Sequence, residues 1–432
     1  MGNGEQERFD AIIVGGGLAG LAAAYTLAGE GLEVLVLERG DYCGAKNVTG
    51  GRLYVNPVRE LFPQLWAKAP FERFIAHEEV SLVAPQRSVT VRYWGQELAE
   101  EPRQSFSVLR ARFDRWLARQ AESRGAAIVT RTRVDDVVRE GERVVGVWAG
   151  GEELHADVVI ACDGVLSLTA QRAGLRRPMN PAAFAVGCKE VIELPREVLE
   201  ARFNLQGEEG AARLFMGEVT RGRFGGGFLY TNQASVSLGL VVGIAALDGG
   251  EEVRLPELLD EFKRRPEVAR LLAGGNLAEY SAHVVPEGGL DSMGPLYGHG
   301  ILVAGDAAGL AMNIGVTVRG MEYALASGYY AAQAVLQARQ AGDFSAASLA
   351  RYEAMLRDSF VLKDFTSFRE APHVLDNPRL FQHYPELVTG ILREVYAVPA
   401  GPKDRLFATV ARRLDAGQLW QMARDAWRLR KI

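Results

Sequence analysis

Four short apolar runs stand out along the chain: Ala11 to Val14, Val34 to Leu37, Ala156 to Ala161 and Ile301 to Ala304. None alternates with polar residues, the pattern of strands buried on both faces of a parallel sheet. Between the first two lies an Ala/Leu-rich helical stretch, Leu18 to Leu27, which makes a βαβ unit. Two more helices follow from the periodicity. Ser107 to Gln120 carries Leu109, Phe113, Trp116 and Leu117 on one face, and Met321 to Gln340 is long and Ala-rich. Residues 80–95 alternate as two strands, and Ala127–Val129, Val134–Val138 and Arg143–Trp148 read as a small antiparallel meander. Short helical and connecting pieces fill residues 57–80.

The character changes between Phe184 and His283. Strand-like runs (Ala185 to Val191, Gly227 to Tyr230, Ser235 to Ile244) alternate with one helix, Leu255 to Leu272. With Gly225-Gly226-Gly227 they predict a twisted antiparallel sheet walling a ligand cavity. The last stretch is helical, broken by Pro372, Pro378, Pro385, Pro399 and Pro402. The chain therefore reads as α/β: a nucleotide-binding domain in three parts (1–80, 103–183, 285–342), a β excursion (81–102), an inserted substrate domain (184–284) and a helical C-terminal region (343–432).

Candidate chemistry sits at the strand ends. Gly15-x-Gly17-x-x-Gly20 joins the first strand to its helix: Gly15 for the tight turn, Gly17 for close approach to a pyrophosphate, Gly20 for helix packing. The helix start at Leu18 and Ala19 offers free N–H groups to phosphate. Glu38, at the end of the second strand and followed by Arg39, is placed for a ribose diol. Asp163-Gly164 and Gly305-Asp306 put acids at the carboxyl ends of two further strands, where dinucleotides lie. The turn-rich stretch from Cys43 to Tyr54 is either a plain surface loop or a ring contact. In the second case Gly50 and Gly51 bring backbone close to a flat ring, and Lys46 or Arg52 supplies positive charge. Arg110 and Arg112 near a helix start oppose its dipole unless an anion is near, so they are either phosphate or adenine-side contacts or solvated.

Bulk properties narrow the class. The 432 residues are 48% hydrophobic and 24% charged, with 54 acids against 49 Lys and Arg, which argues against a nucleic-acid partner. Cys43, Cys162 and Cys188 lie far apart, against a disulfide scaffold, a zinc site or a Cys-ligated iron–sulfur cluster within the chain. Six histidines show no ligand-like clustering. The first nine residues carry no apolar signal core, and no apolar run reaches the ~20 residues of a spanning helix. The expectation is a cytoplasmic protein, soluble or peripheral.

Together, the GxGxxG with Glu38, strand-Asp163-Gly164 and strand-Gly305-Asp306 resemble the FAD domain of glutathione-reductase-like flavoproteins, in the branch of aromatic hydroxylases and geranylgeranyl reductases. The resemblance implies non-covalent FAD. Asp306 would face its ribityl and pyrophosphate part, and the helix after Gly320 the pyrimidine edge of the flavin. Asn313, Gly315 and Thr317 would lie in the flavin loop, and Val134 among the cofactor contacts. A closer resemblance spans nearly the whole chain. GGRLY at 50–54, RGMEYALASG at 319–328 and SFVLKDF…FREAPHVLDNPRLF at 359–381 are similar to the FixC (EtfC) family, relatives of the electron-transfer-flavoprotein:quinone oxidoreductases.

That family likeness implies a subunit that takes electrons from a FixA/FixB electron-transfer flavoprotein pair and reduces a membrane quinone, within NADH-dependent electron bifurcation. It implies a separate four-iron ferredoxin-like partner, FixX, in place of a C-terminal cluster domain. Between Lys403 and Lys431, eight Lys and Arg stand against Asp404, Asp415 and Asp425, among Phe407, Trp420, Trp427 and other apolar residues. A basic amphipathic helix pair of this kind fits an anionic bilayer on the inner face of the cell membrane; packing on the body or a partner would use the same residues. No catalytic acid–base constellation stands out, and His283, Tyr230 and Tyr280 are the proton-donor candidates. A geranylgeranyl-reductase-like enzyme and a non-catalytic flavin scaffold are the rival readings.

Overall fold

The computed structural model describes residues 8–46, 51–176, 179–248 and 253–432. Two sheets organise it. In chain order, the first sheet uses β1 (Arg8–Val14) and β2 (Val34–Leu37). The chain then crosses to the second sheet for β3 (Gly51–Tyr54), β4 (Phe74–Ala84), β5 (Arg87–Trp94) and β6 (Ser105–Val108). It returns for β7 (Ala127–Val129), β8 (Val134–Glu140), β9 (Arg143–Ala149) and β10 (Glu152–Ala161). The second sheet is completed by β11 (Phe184–Glu193), β12 (Glu209–Gly217), β13 (Gly225–Thr231), β14 (Ser235–Gly243) and β15 (Asn276–Pro286). Finally β16 (Tyr297–Gly298) and β17 (Ile301–Val303) close the first.

The first sheet runs β16-β17-β10-β1-β2-β7, parallel from β17 to β7. The apolar strands are buried on both faces, as their lack of alternation requires. The Leu18–Gly29 helix is buried from Leu18 to Ala28, which suits its all-round apolar sequence. It packs on the Met321–Ala341 helix, where a Cβ on Gly328 would stand 2.0 Å from the Ala19 carbonyl oxygen. Only glycine permits that approach.

The second sheet runs β15-β11-β14-β13-β12-β4-β6-β3, with β5 on the edge of β4. It is antiparallel apart from β12 beside β4. Behind it, Phe262 meets Phe215 edge-on at 4.8 Å, within a core that includes Leu229, Leu238 and Leu240.

Several elements differ from the sequence reading. Gly51–Tyr54 is a strand, paired with Ser105–Val108, so the following helix begins at Arg110 and not at Ser107. The excursion to the second sheet accordingly begins at Gly51, ahead of the boundary placed at 81. Ala127–Val129 joins the parallel sheet beside β2, and the meander is β8-β9-β10. The Leu255–Leu272 helix is two pieces, because Pro266 holds Arg265 extended at φ −60°, ψ 133°. Pro372, Pro378 and Pro385 stand in the first turns of helical pieces, where proline is tolerated, and start them instead of ending them.

Candidate active site at the junction of the two sheets

A cavity of about 360 Å³ lies at the carboxyl ends of β1, β2, β10 and β17 and is roofed by the second sheet. One end is the β1 turn. Gly15 holds φ +105°, and a Cβ there would lie 2.4 Å from the Cys162 carbonyl oxygen, so β1 and β10 pack closely only over glycine. Gly17, Leu18 and Ala19 line the cavity, and the space beside Gly17 is open. The first helical N–H groups have no partner within the helix. Glu38 is buried at the next strand end. Its carboxylate accepts the Gly16 N–H at 2.8 Å and the Gly40 N–H at 2.6 Å, one on each oxygen. This fixes the acid in the cavity wall with acceptor capacity left for hydroxyl donors.

Two more acids face the middle. One Asp163 oxygen accepts the Thr169 N–H and hydroxyl, both at 2.9 Å, and the other is buried without a partner among the described residues. Asp306 is half-buried; desolvation raises its pKa, while the His283 imidazole and Arg110 guanidinium oppose the rise. Arg110 lines the cavity and binds Asp114 twice at 2.8 Å. Asp114, one turn on, is the anion that a cation at this helix start needs. At the far end, Gly51, Arg52, Gly320 and Met321 converge at the start of the Met321–Ala341 helix.

The cavity thus gathers Gly15, Gly17, Leu18, Ala19, Glu38, Arg39, Lys46, Gly51, Arg110, Val134, Asp163, Gly164, Gly305, Asp306 and Gly320. Gly50 lies outside the described residues. Gly20 packs behind the turn and does not line the cavity. Arg112 points away, its guanidinium paired at 2.8 Å with the buried Glu72 and absent from the cavity lining. Asn313, Gly315 and Thr317 do not line it either: they form the turn between two short strands, Met312–Asn313 and Val318–Arg319, in which the Gly315 N–H donates to Asn313 Oδ1 at 2.9 Å. Of the proton-donor candidates, Tyr230 and His283 line the cavity, whereas Tyr280 is 47% exposed and does not. Sequence reasoning missed Phe228, Pro286 and Glu287 on the roof, although the Pro-Glu-Gly-Gly run closing β15 is a visible turn signal.

A second chamber of about 320 Å³ adjoins the first and shares Arg52, Tyr230 and Val318 with it. Tyr54, Val80, Val91, Leu214, Val316 and Glu78 form its walls. Arg52 is buried in the partition. It bonds Glu78 and the Ser105 hydroxyl and lies 4.3 Å over the Tyr54 ring. Among the described residues no three His, Cys, Asp or Glu side chains cluster as metal ligands.

An elongated cleft with a glycine turn and helix N-terminus at one end, carboxylates for ribose and ribityl hydroxyls between, and a second helix N-terminus at the other fits FAD. The fold and site are those of a FAD-dependent oxidoreductase. Family models described as FAD dependent oxidoreductase match residues 10–176 and 103–334, and the ETF-QO/FixC family C-terminal domain matches residues 371–432. Protein FixC of Escherichia coli K12 is 46% identical over 407 residues, covering 94% of this chain and 95% of that protein. The probable electron transfer flavoprotein-quinone oxidoreductase YdiS of the same strain is 45% identical over 398 residues, 92% of each chain. The chain belongs to the FixC family. Among solved structures, a geranylgeranyl bacteriochlorophyll reductase-like protein from Thermoplasma acidophilum shares the fold with TM-score 0.70 at 20% identity, over 97% of this chain and 99% of that one.

Proposed function

We propose that this chain is the FAD-bearing subunit of an electron-transfer flavoprotein complex of the FixA/FixB/FixX type, passing electrons from the FixA/FixB pair to a membrane quinone. Its relatives carry the names FixC and electron transfer flavoprotein-quinone oxidoreductase. Bound FAD, held non-covalently, supplies one- and two-electron transfer. The protein's part is to hold it: the β1 turn and Leu18–Gly29 helix on the pyrophosphate, Glu38 on the adenosine ribose, Asp306 and Asp163 on the ribityl side. The Met321–Ala341 helix would direct its N-terminal dipole at the pyrimidine edge, favouring negative charge there.

The observation that carries the quinone reading is the second chamber. Its walls are mostly apolar, its mouth exposes Val91 and Val316, and its inner wall is the Arg52–Tyr230 partition with the FAD cleft. A flat ring in that chamber would be held apart from FAD by the thickness of one side-chain layer, with guanidinium and phenol donors for its carbonyl oxygens. Cys43, Cys162 and Cys188 are each buried, and burial pushes the Cys43 thiol up to about 12. These thiols suit packing better than cluster ligation, which supports an iron–sulfur centre on a separate FixX-type subunit. No helix among the described residues is long and apolar enough to cross a membrane. Contact with the inner face of the cell membrane is assigned to the C-terminal helices Leu406–Ala411 and Ala416–Leu429, where Phe407 is 86% and Trp420 64% exposed. Bifurcation of NADH electrons, where it occurs, belongs to the FixA/FixB pair.

The test is anaerobic mixing of the photoreduced holoprotein with short-chain ubiquinone or menaquinone while flavin absorbance is followed. Reoxidation by a quinone, slowed at least tenfold by Tyr230→Phe or Val318→Trp, is the expected result. Failure to reoxidise with either quinone, together with reduction of a polyprenyl double bond, would move the assignment to a prenyl reductase. Affinity purification should also recover FixA-, FixB- and FixX-like chains in near-equal amounts.

A further inference from the structure

The roof of the FAD cleft carries one acid that the reading above does not use. Glu287 follows directly on β15, its N–H donating to the Ala183 carbonyl at 2.8 Å. Its side chain lines the same cavity as Asp306 and Gly320. Asn313 is its partner. The Gly315 N–H can only donate, so the Asn313 end facing it is the carbonyl oxygen, at 2.9 Å. That leaves the Asn313 NH₂ as the donor that favours the charged form of the nearby Glu287 carboxyl. The turn placed in the flavin loop by sequence thus acts one step removed, by orienting an acid that does face the cavity.

Among the described residues Glu287 has no ion-pair partner. Arg176, beside Pro286 and Gly288, interacts with Asp163 and not with Glu287, and other charged groups of the cleft are engaged elsewhere. Asp163 after β10 holds Thr169, and Arg319 on the Val318–Arg319 strand holds Glu322 and Asp364. Asp306 after β17 and His283 on β15 lie within electrostatic reach of each other. Other proton carriers fit the cavity less well. Burial raises the pKa of Tyr230 above its ordinary value, and both Glu38 oxygens are occupied by backbone N–H groups.

We propose that Glu287, oriented by Asn313, is the proton-exchanging acid of the FAD cleft. As two electrons arrive from the electron-donating flavoprotein, the Glu287 O–H bond breaks and its proton passes to a cofactor ring nitrogen. The carboxylate would regain its proton from solvent and, facing the negative charge of the reduced cofactor, hold it more tightly than before reduction. Reduction above pH 7 therefore draws additional proton onto Glu287 itself, oxidation releases it to solvent, and no reactant beyond the electron donor and solvent is needed. Burial without a counter-charge places this carboxyl at about 7, in the range where it can both give and regain a proton. The inference rests on the cavity being the FAD site, and not on the identity of the final electron acceptor.

The experiment is a redox titration of the holoprotein between pH 5.5 and 8.5, with proton uptake on photoreduction followed by an indicator dye in weak buffer. No quinone is present. Flavin absorbance first establishes one FAD per chain, and a wild type that binds none would refute the site itself. With FAD bound, the wild-type potential–pH curve should inflect near pH 7. Glu287→Gln should lose the inflection and take up less proton per flavin at pH 7.5. Asn313→Ala removes a donor that favours the carboxylate, so it should keep the inflection and move it to higher pH. An unchanged inflection in Glu287→Gln, or an inflection that stays or moves down in Asn313→Ala, would overturn the proposal.

Discussion

The attachment of the C-terminal helices depends on one carboxylate, and its removal has a calculable effect. Asp425, on the Ala416–Leu429 helix, is buried. It accepts Arg379 Nε at 2.7 Å and Nη2 at 2.6 Å, and also takes the Tyr384 hydroxyl. The other ties are weaker: Arg413 to Glu394 at 2.7 Å and Lys431 to Glu370 at 3.0 Å are exposed pairs, each worth roughly 0–1 kcal/mol. Asp425→Ala strands a guanidinium and a phenol. In a dry interior that loss costs about 3–5 kcal/mol. The Arg379 side chain is 35% exposed, so screening reduces the figure to about 1–3 kcal/mol, roughly a 5- to 150-fold shift toward the detached helix. Limited trypsin digestion reads this directly, as the initial rate of cleavage between Arg405 and Arg430 under conditions where the helix opens and closes faster than it is cut. The body should unfold at an unchanged temperature. Arg379 holds the Asp425 carboxyl far below the usual range. The stabilisation is therefore complete above the unfolded-state value of 3.8 and is lost only as pH falls through the depressed one. The ratio of variant to wild-type rates should accordingly be flat from pH 6 to 8.5. Equal cleavage of the two proteins would refute the argument that this cluster anchors the helix.

Four further outcomes follow from the same reasoning. Gly328→Val drives a Cβ to 2.0 Å from the Ala19 carbonyl oxygen; parting the two helices should cost about 1–3 kcal/mol, seen as a lower Tm, and reduce the flavin content on purification. Glu38→Ala leaves the Gly16 and Gly40 N–H groups bare and removes the ribose acceptor, so fluorescence titration of the apoprotein should show FAD binding at least tenfold weaker; equal affinity would remove the ribose role. Trp420→Glu with Trp427→Glu should abolish co-flotation with anionic liposomes, and retained binding would move the membrane contact elsewhere. For Glu287 the folded apoprotein binds the proton more tightly than the unfolded chain, so a penalty develops as pH rises from 4.5 to about 7 and then stays at ~3 kcal/mol. Glu287→Gln should therefore raise the apoprotein Tm at pH 8 and leave it nearly unchanged at pH 4.5.

The residues that misled are as informative as those that did not. The β1 unit was readable because a parallel strand buried on both faces needs an unbroken apolar run, and because the turn, helix and acid after it are set by local geometry. Gly51–Tyr54 looked like a turn because its glycines are local signals, while its strand partner, Ser105–Val108, lies half a hundred residues away in the chain. Arg110 and Arg112 looked alike in sequence. One turn of helix gives Arg110 its own anion in Asp114 and leaves it in the cleft wall, whereas Arg112 faces Glu72 on the other side. Asn313, Gly315 and Thr317 were assigned to the flavin by position in a matching loop. In the fold Thr317 lines the second chamber, and Gly315 fixes the amide of Asn313, which favours the charged form of Glu287. Strand ends and glycine turns can be read from short windows because backbone geometry sets them. A side chain's final partner is set by which distant segment packs beside it, and for Glu287 that segment is a two-strand turn beyond β16 and β17 of the other sheet. The turn that carries Glu287, the acid proposed to exchange the proton, is thus marked locally by its Pro-Glu-Gly-Gly run, whereas its neighbour Asn313 is set only by the fold.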